Sequence, residues 1–308
     1  MATRLKKSEF ILTYGIIISL ACFIGGFFLG AGYMKNQQAA AMSAAAEAEK
    51  EQAKKEQLLK EQKLYKEQDF VQFYYNVLVP INAFKAEHFQ TVATLQNASP
   101  DDQDEQLQNL AEMAKKHLQE IQNGKAPATS PLLGKAKYAY EQSLRAYLDG
   151  IEALRSAQNN NALSIEQLHA TPQLQPFISS WLKAQNDMYQ AIATWESAYV
   201  TKRDIPKELP GNASLEKWKA YPFHYRNYLA AAYLAQMKMF ADFAPQDLTA
   251  RIDTLVQSEQ AQALGIKDVQ TAVKMLQVTD AVRPEDFKKL RSKLYNEVKM
   301  PEMPLFEE

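Results

Sequence analysis

The sequence predicts an all-α chain: a single N-terminal transmembrane helix, a helical stalk, an antiparallel four-helix bundle and a C-terminal helical region. Three observations predict it. Residues 10–34 are twenty-five consecutive residues without a charge. Of the ten glycines, only Gly124, Gly134, Gly150, Gly211 and Gly265 lie beyond that run, too few for turn-rich sheet. From residue 70 onward, apolar residues recur three and four apart along most of the chain, the spacing of one helix face.

At about 1.5 Å per residue the uncharged run extends roughly 37 Å, enough to cross a hydrocarbon core of about 30 Å with some tilt. Arg4, Lys6 and Lys7 precede it, and Lys35 alone stands close behind it. Positive charge gathers on the cytoplasmic side. Residues 1–9 are therefore expected to be a short cytoplasmic segment, and the main domain to be extracytoplasmic. A cleaved signal peptide is the competing reading, but its apolar region runs only about 7 to 15 residues. Gly15, Ser19, Cys22, Gly26 and Gly30 repeat at four, three, four and four. They share one face on which two spans can approach closely, so a homodimer through this helix is one reading, against the alternative that membrane helices tolerate glycine and show such spacings by chance.

Residues 35–69 turn to Ala, Glu, Lys and Gln, with Lys-Glu-Gln beginning at Lys50, Lys55, Lys60 and Lys66. High helix propensity and i,i+4 pairs such as Glu51–Lys55 predict a helical stalk that continues into the first bundle helix. Met42, Leu58, Leu59 and Leu64 only partly match a coiled-coil seam, and a solvated spacer is the simpler reading.

Residues 70–201 are expected to form the four-helix bundle. Phe70, Tyr74, Val77, Ile81, Phe84, His88, Val92 and Leu95 make its first stripe, with a kink near Val79 because Pro80 lacks an N–H. Ser99-Pro100-Asp101-Asp102 reads as an N-cap, a first-turn proline and acids that suit the helix dipole. That helix carries Leu107, Leu110, Ala114, His117, Leu118 and Ile121, and Asn123-Gly124 predicts a left-handed C-cap. Ser130-Pro131 and Thr171-Pro172 repeat the opening grammar. The third stripe is Leu133, Tyr140, Leu144, Tyr147, Ile151 and Leu154. The fourth is Leu174, Ile178, Trp181, Met188, Ile192, Trp195 and Tyr199.

Residues 202–213, with Pro206, Pro210 and Gly211, read as a linker. Residues 214–300 are predicted to be helical over 214–220, 223–243, 245–264, 267–278 and 284–298, leaving 301–308 as a tail. Whether this region packs on the bundle or stands apart is not legible in the sequence.

Motifs for chemistry are sparse. The single cysteine, Cys22, lies in the apolar run, so the aqueous part holds no disulfide and no thiolate metal site. Four histidines, at 88, 117, 169 and 224, show no local zinc spacing. Core roles are expected for His88 and His117, whose neighbouring helices leave a shared polar site conceivable. Asp101, Asp102, Asp104 and Glu105 lack the glycine and distal glutamate of a calcium loop. No catalytic residue, metal or cofactor is assigned. The net charge of −1 gives no field for nucleic acid.

The densest aromatic and polar cluster is Tyr221, Phe223, His224, Tyr225 and Arg226. These residue types anchor interfaces, so the cluster is the candidate binding site, against the alternative that it fills a junction between helical lobes. The expectation is a single-pass protein of a bacterial cell envelope that acts by binding. It would be a scaffold whose partners are the lipid bilayer and envelope proteins, with a ligand-sensing bundle signalling through a partner membrane protein as the alternative.

Overall fold

A computed structural model describes residues 50, 64–95, 97–156, 165–206 and 209–307. Outside them lie the segment 1–9, the span predicted at 10–34 with Gly15, Ser19, Cys22, Gly26 and Gly30, and all of the stalk before Leu64 except Lys50. Among the described residues no helix is long and apolar enough to cross a membrane. They are all-α, and the only bridge in extended backbone among them is the isolated pair Ser214–Asp268.

The predicted continuous run of stalk into bundle is corrected at its entry, where the chain breaks. Tyr65 is left-handed at φ 53°, is buried, and gives its N–H to Thr129 O at 3.1 Å. Lys66 is extended, and helix α1 (Glu67–Phe73) starts only after it. Docking a tyrosine ring into the core outweighs helix continuity here. Asp69 fixes the same corner by accepting 2.7 Å bonds from the hydroxyls of Thr129 and Ser130.

From α1 the helix passes through a π-helical stretch (Tyr74–Leu78) into α2 (Val79–Leu95). The widening sits at the position of the predicted kink. Pro80 has no N–H to offer the carbonyl of Asn76, and a π-turn absorbs the lost register inside the helix. Helix α3 (Pro100–Asn123) comes next, with the Ser99 hydroxyl accepting from Asp102 N as predicted. Its C-terminus differs from expectation: Gly124 is extended at φ −72°, not left-handed. Glycine is needed there for closeness, because an added Cβ would lie 2.6 Å from Asn76 O. Gly124→Ala is therefore expected to cost about 1–3 kcal/mol, read as a lowered urea midpoint with unchanged helical circular dichroism.

Helix α4 (Pro131–Ser156) packs between α3 and α6 (Gln175–Trp195). Between α4 and α6 the chain forms a short helix, α5 (Ile165–Ala170), which the apolar spacing does not signal. Thr171-Pro172 then opens a 3₁₀ turn (Pro172–Leu174) rather than α6 itself. That turn lies against Gly150, where a Cβ would meet Gln173 O at 2.6 Å. Helix α6 ends in a second π-stretch (Glu196–Thr201) closed by left-handed Lys202.

The remaining described helices are α7 (Leu215–Ala220), α8 (Phe223–Gln236), α9 (Pro245–Gln257), α10 (Gln260–Ala263), α11 (Val269–Val278) and α12 (Asp286–Leu294). Helix α8 stops well short of the predicted end at Phe243. Lys238 turns left-handed, and Met239 N bonds Leu234 O across the cap, a Schellman-type closure without glycine. The segment predicted as 245–264 is also broken, at left-handed Glu259. This region does not stand apart. Helix α8 packs along α6 and α9 along α8, and one hydrophobic core runs from Tyr65 to Phe306.

Candidate functional site

The predicted cluster lies where α6, α7, α8, α9 and the C-terminal residues meet. Tyr221 ends α7 and is half-buried, whereas Phe223, His224 and Tyr225, in the first turn of α8, are 3%, 0% and 2% exposed. The ring of Phe223 lies 4.4 Å from that of Tyr295 and 5.5 Å from that of Phe287. His224 Nε2 lies 3.3 Å from Lys299 O, and burial pushes its imidazole down to about 3, so it is neutral.

Two carboxylates hold this junction. Glu196, 3% exposed in the second π-stretch, accepts from the N–H groups of His224 and Tyr225 at 3.1 and 3.2 Å. It thereby caps the positive end of α8 from the end of α6. Burial pushes its carboxyl up to about 7, against the lowering by those two N–H groups and by Arg226. Asp253 of α9, 3% exposed, accepts from Arg226 Nη1 at 2.7 Å, Trp218 Nε1 at 2.7 Å and Tyr295 Oη at 2.6 Å. Arg226 is thus committed to an internal ion pair. What the cluster leaves open to a ligand is a small cavity of about 190 Å³ lined by Glu196, Ser197, Arg203, Tyr221 and Tyr225.

The raised Glu196 carboxyl has a measurable sign. Its folded pKa, about 7, exceeds its ordinary value of 4.5. Folding therefore favours the protonated form, and stability falls as pH rises from about 4.5 to 7, then levels. Glu196→Gln keeps an acceptor for both N–H groups and removes the ionisation. The variant is expected to match the parent near pH 4 and to exceed it at pH 8 by up to about 3 kcal/mol, read from urea midpoints across that range.

A larger cavity, about 490 Å³, is lined by Asn82, Lys85 and Phe89 of α2, Asp242 and Asp247 near the start of α9, and Lys288 of α12. Lys85 Nζ donates to Phe243 O at 3.1 Å, and burial pulls its amine down to about 8 although Asp247 and Asp242 oppose the shift. Asp247 is a capping residue: its oxygens accept from Ala244 N at 2.8 Å and Phe287 N at 2.9 Å.

The structure also brings together groups that no sequence spacing links. His88 on α2 is fully buried, and the histidine it meets is not His117 on the next helix. Its Nδ1 lies 2.8 Å from Tyr147 Oη on α4, and its Nε2 lies 2.9 Å from His169 Nε2 on α5. Burial, and secondarily His169, holds the His88 imidazole far below its usual pKa. His117 sits separately, its Nδ1 2.8 Å from Glu120 and its Nε2 3.6 Å from Glu87, with Phe84 between the two histidines. Among the described residues no three His, Cys, Asp or Glu side chains converge as a metal cage. The acidic run is used structurally: Asp102 receives the Ser99 hydroxyl at 2.6 Å, and Asp104 accepts from Arg155 Nε at 2.9 Å.

No protein-family model matches the chain, and no curated protein or solved structure matches it either.

Proposed function

We propose that this chain is a membrane-tethered helical protein of the cell envelope, with residues 64–307 held outside the membrane as a scaffold for protein partners. The observation that carries the reading is the uncharged run 10–34 with its basic flank, which has the length and asymmetry of a single span. An antiparallel bundle continuous with C-terminal helices suits the role, since one core gives a rigid body with several inter-helix grooves. One of them, about 700 Å³, lies between α6 and α8 and is lined by Pro176, Ile178, Ser179, Leu182, Leu209 and Ala232. Its apolar floor and polar margin resemble the surfaces into which amphipathic helices dock.

The tether is tested with a Cys22→Ser background carrying Tyr138→Cys, a position 64% exposed. A membrane-impermeant maleimide is expected to label intact cells, and labelling only after lysis would reverse the topology. Recovery of the full chain in a soluble fraction would remove the tether altogether. The scaffold is tested by a photo-crosslinking residue at Ser179, which is expected to yield a discrete hetero-adduct in cells.

The alternative, a ligand-sensing bundle that signals through a partner membrane protein, draws on the Lys85 cavity, whose size suits a small molecule. Its mark is a rise in melting temperature on adding a small-molecule library, lost in Lys85→Met.

A further inference from the structure

We propose that the cavity between the π-stretch that ends α6 and the start of α8 binds a small primary amine as its ammonium ion, with Glu196 as the anion that holds it. The site shares no lining residue with the α6–α8 groove or the Lys85 cavity. Glu196 spends only one oxygen on the cap of α8: the N–H groups of His224 and Tyr225 both bond Oε2, at 3.1 and 3.2 Å. Oε1 has no hydrogen-bond donor among the described residues, on a side chain that lines the cavity.

Ser197 meets the same cavity as an acceptor. Its hydroxyl hydrogen is committed to Arg203 O at 2.6 Å, so what it can still offer is lone pairs. A ligand that matches these two side chains brings N–H donors and a positive charge, and an ammonium group carries both. An anion is turned away, because its oxygens would face a buried carboxylate.

The walls suit a short hydrocarbon body. Ala193, Ile205, Pro206 and Pro222 supply apolar surface. The rings of Tyr221 and Tyr225 stand edge to face with centroids 4.9 Å apart, where a cation gains from the π system. The volume is about 190 Å³, somewhat above the roughly 150 Å³ that accommodates benzene, so the ligand has about five to eight non-hydrogen atoms.

The surrounding charges leave room for one cation. Arg226 is paired with Asp253 at 2.7 Å, and Lys299 with Glu67 at 3.5 Å. His224 is neutral, and burial keeps the Tyr225 hydroxyl un-ionised. Arg203 and Asp204, both exposed at the mouth, offset each other. Glu196 is then the charge that the ligand balances. Burial raises its carboxyl to about 7, so below that pH a bound cation displaces the proton that the empty site retains.

The test uses the full chain in non-ionic detergent at constant ionic strength. n-Butylammonium chloride is the probe, and 1-butanol and sodium butyrate are its neutral and anionic counterparts of similar shape. Butylammonium is expected to raise the melting temperature with a dissociation constant on the order of 1 mM at pH 7.5, and the counterparts are expected not to. Binding should weaken about 10-fold or more at pH 5.5, where Glu196 holds its proton. In Glu196→Gln, a variant expected to fold at least as stably as the parent, it should weaken by about 10-fold or more at pH 7.5 and lose its pH dependence. Arg203→Gln removes the cation at the mouth and should tighten binding about 2–3-fold, a gain that damage to the fold would not produce. Equal effects of butylammonium and 1-butanol would overturn the proposal, as would unchanged affinity in Glu196→Gln. Absence of any rise with butylammonium in the parent would overturn it too.

Discussion

Asp253→Ala is expected to destabilise the protein by about 3–5 kcal/mol, the cost of breaking a buried ion pair from one side. The carboxylate is the common acceptor for Arg226, Trp218 and Tyr295. Trp218 is fully buried and Tyr295 is 3% exposed, so water cannot replace the lost acceptor without opening the core. For a body of this size the loss corresponds to roughly 6–20 °C in melting temperature. Asp253→Asn retains two polar atoms at nearly the same volume and should cost less than half as much. Adding Arg226→Met to Asp253→Leu should recover part of the loss, because it removes the stranded charge as well. A melting temperature for Asp253→Ala indistinguishable from that of the parent would show that this junction does not hold the C-terminal helices in place.

Phe84→Ala is expected to cost about 3–5 kcal/mol, for a different reason. The ring is fully buried, with centroids of Tyr147, Trp181, Phe177 and His88 between 5.1 and 6.0 Å away. Truncation leaves a void bounded by rigid rings that collapse poorly, so the cavity cost adds to the lost transfer energy. Phe84→Leu should cost visibly less. Denaturant unfolding followed by tryptophan emission is the suitable readout, since Trp181 is one of the walls. Near-equal losses for Ala and Leu would mean that ring packing, rather than filled volume, sets the stability here.

Helix identity is largely legible in the sequence because it is encoded locally. The three-four stripes of Val77, Ile81 and Phe84, or of Tyr140, Leu144 and Tyr147, come out buried as the spacing implies. Ser99 and Ser214 cap the helices that their side chains announce. Errors concentrate where a distant partner overrules local preference. Gly124 has the sequence of a left-handed cap but serves the close approach of Asn76, two helices earlier. Tyr65 sits in a sequence made for helix, and its break depends on Thr129. Lys238 and Glu259 end helices from left-handed geometry without the glycine that would mark it. The short α5 has too few turns to show a period.

The candidate cluster at 221–226 is visible from composition, but its use is not. Arg226 reads equally well as an interface anchor or as half of an internal pair, and only the position of Asp253 on a later helix decides between them. The pairing of His88 with His169 leaves no trace at all, since 81 positions separate them. By itself the sequence determined helical class, most helix starts and the uncharged run near the N-terminus, because propensity, capping and hydrophobic period act within a few residues. Tertiary structure alone decided that the C-terminal helices share the bundle's core, and which polar groups are spent inside it, because those outcomes depend on burial beside partners far along the chain.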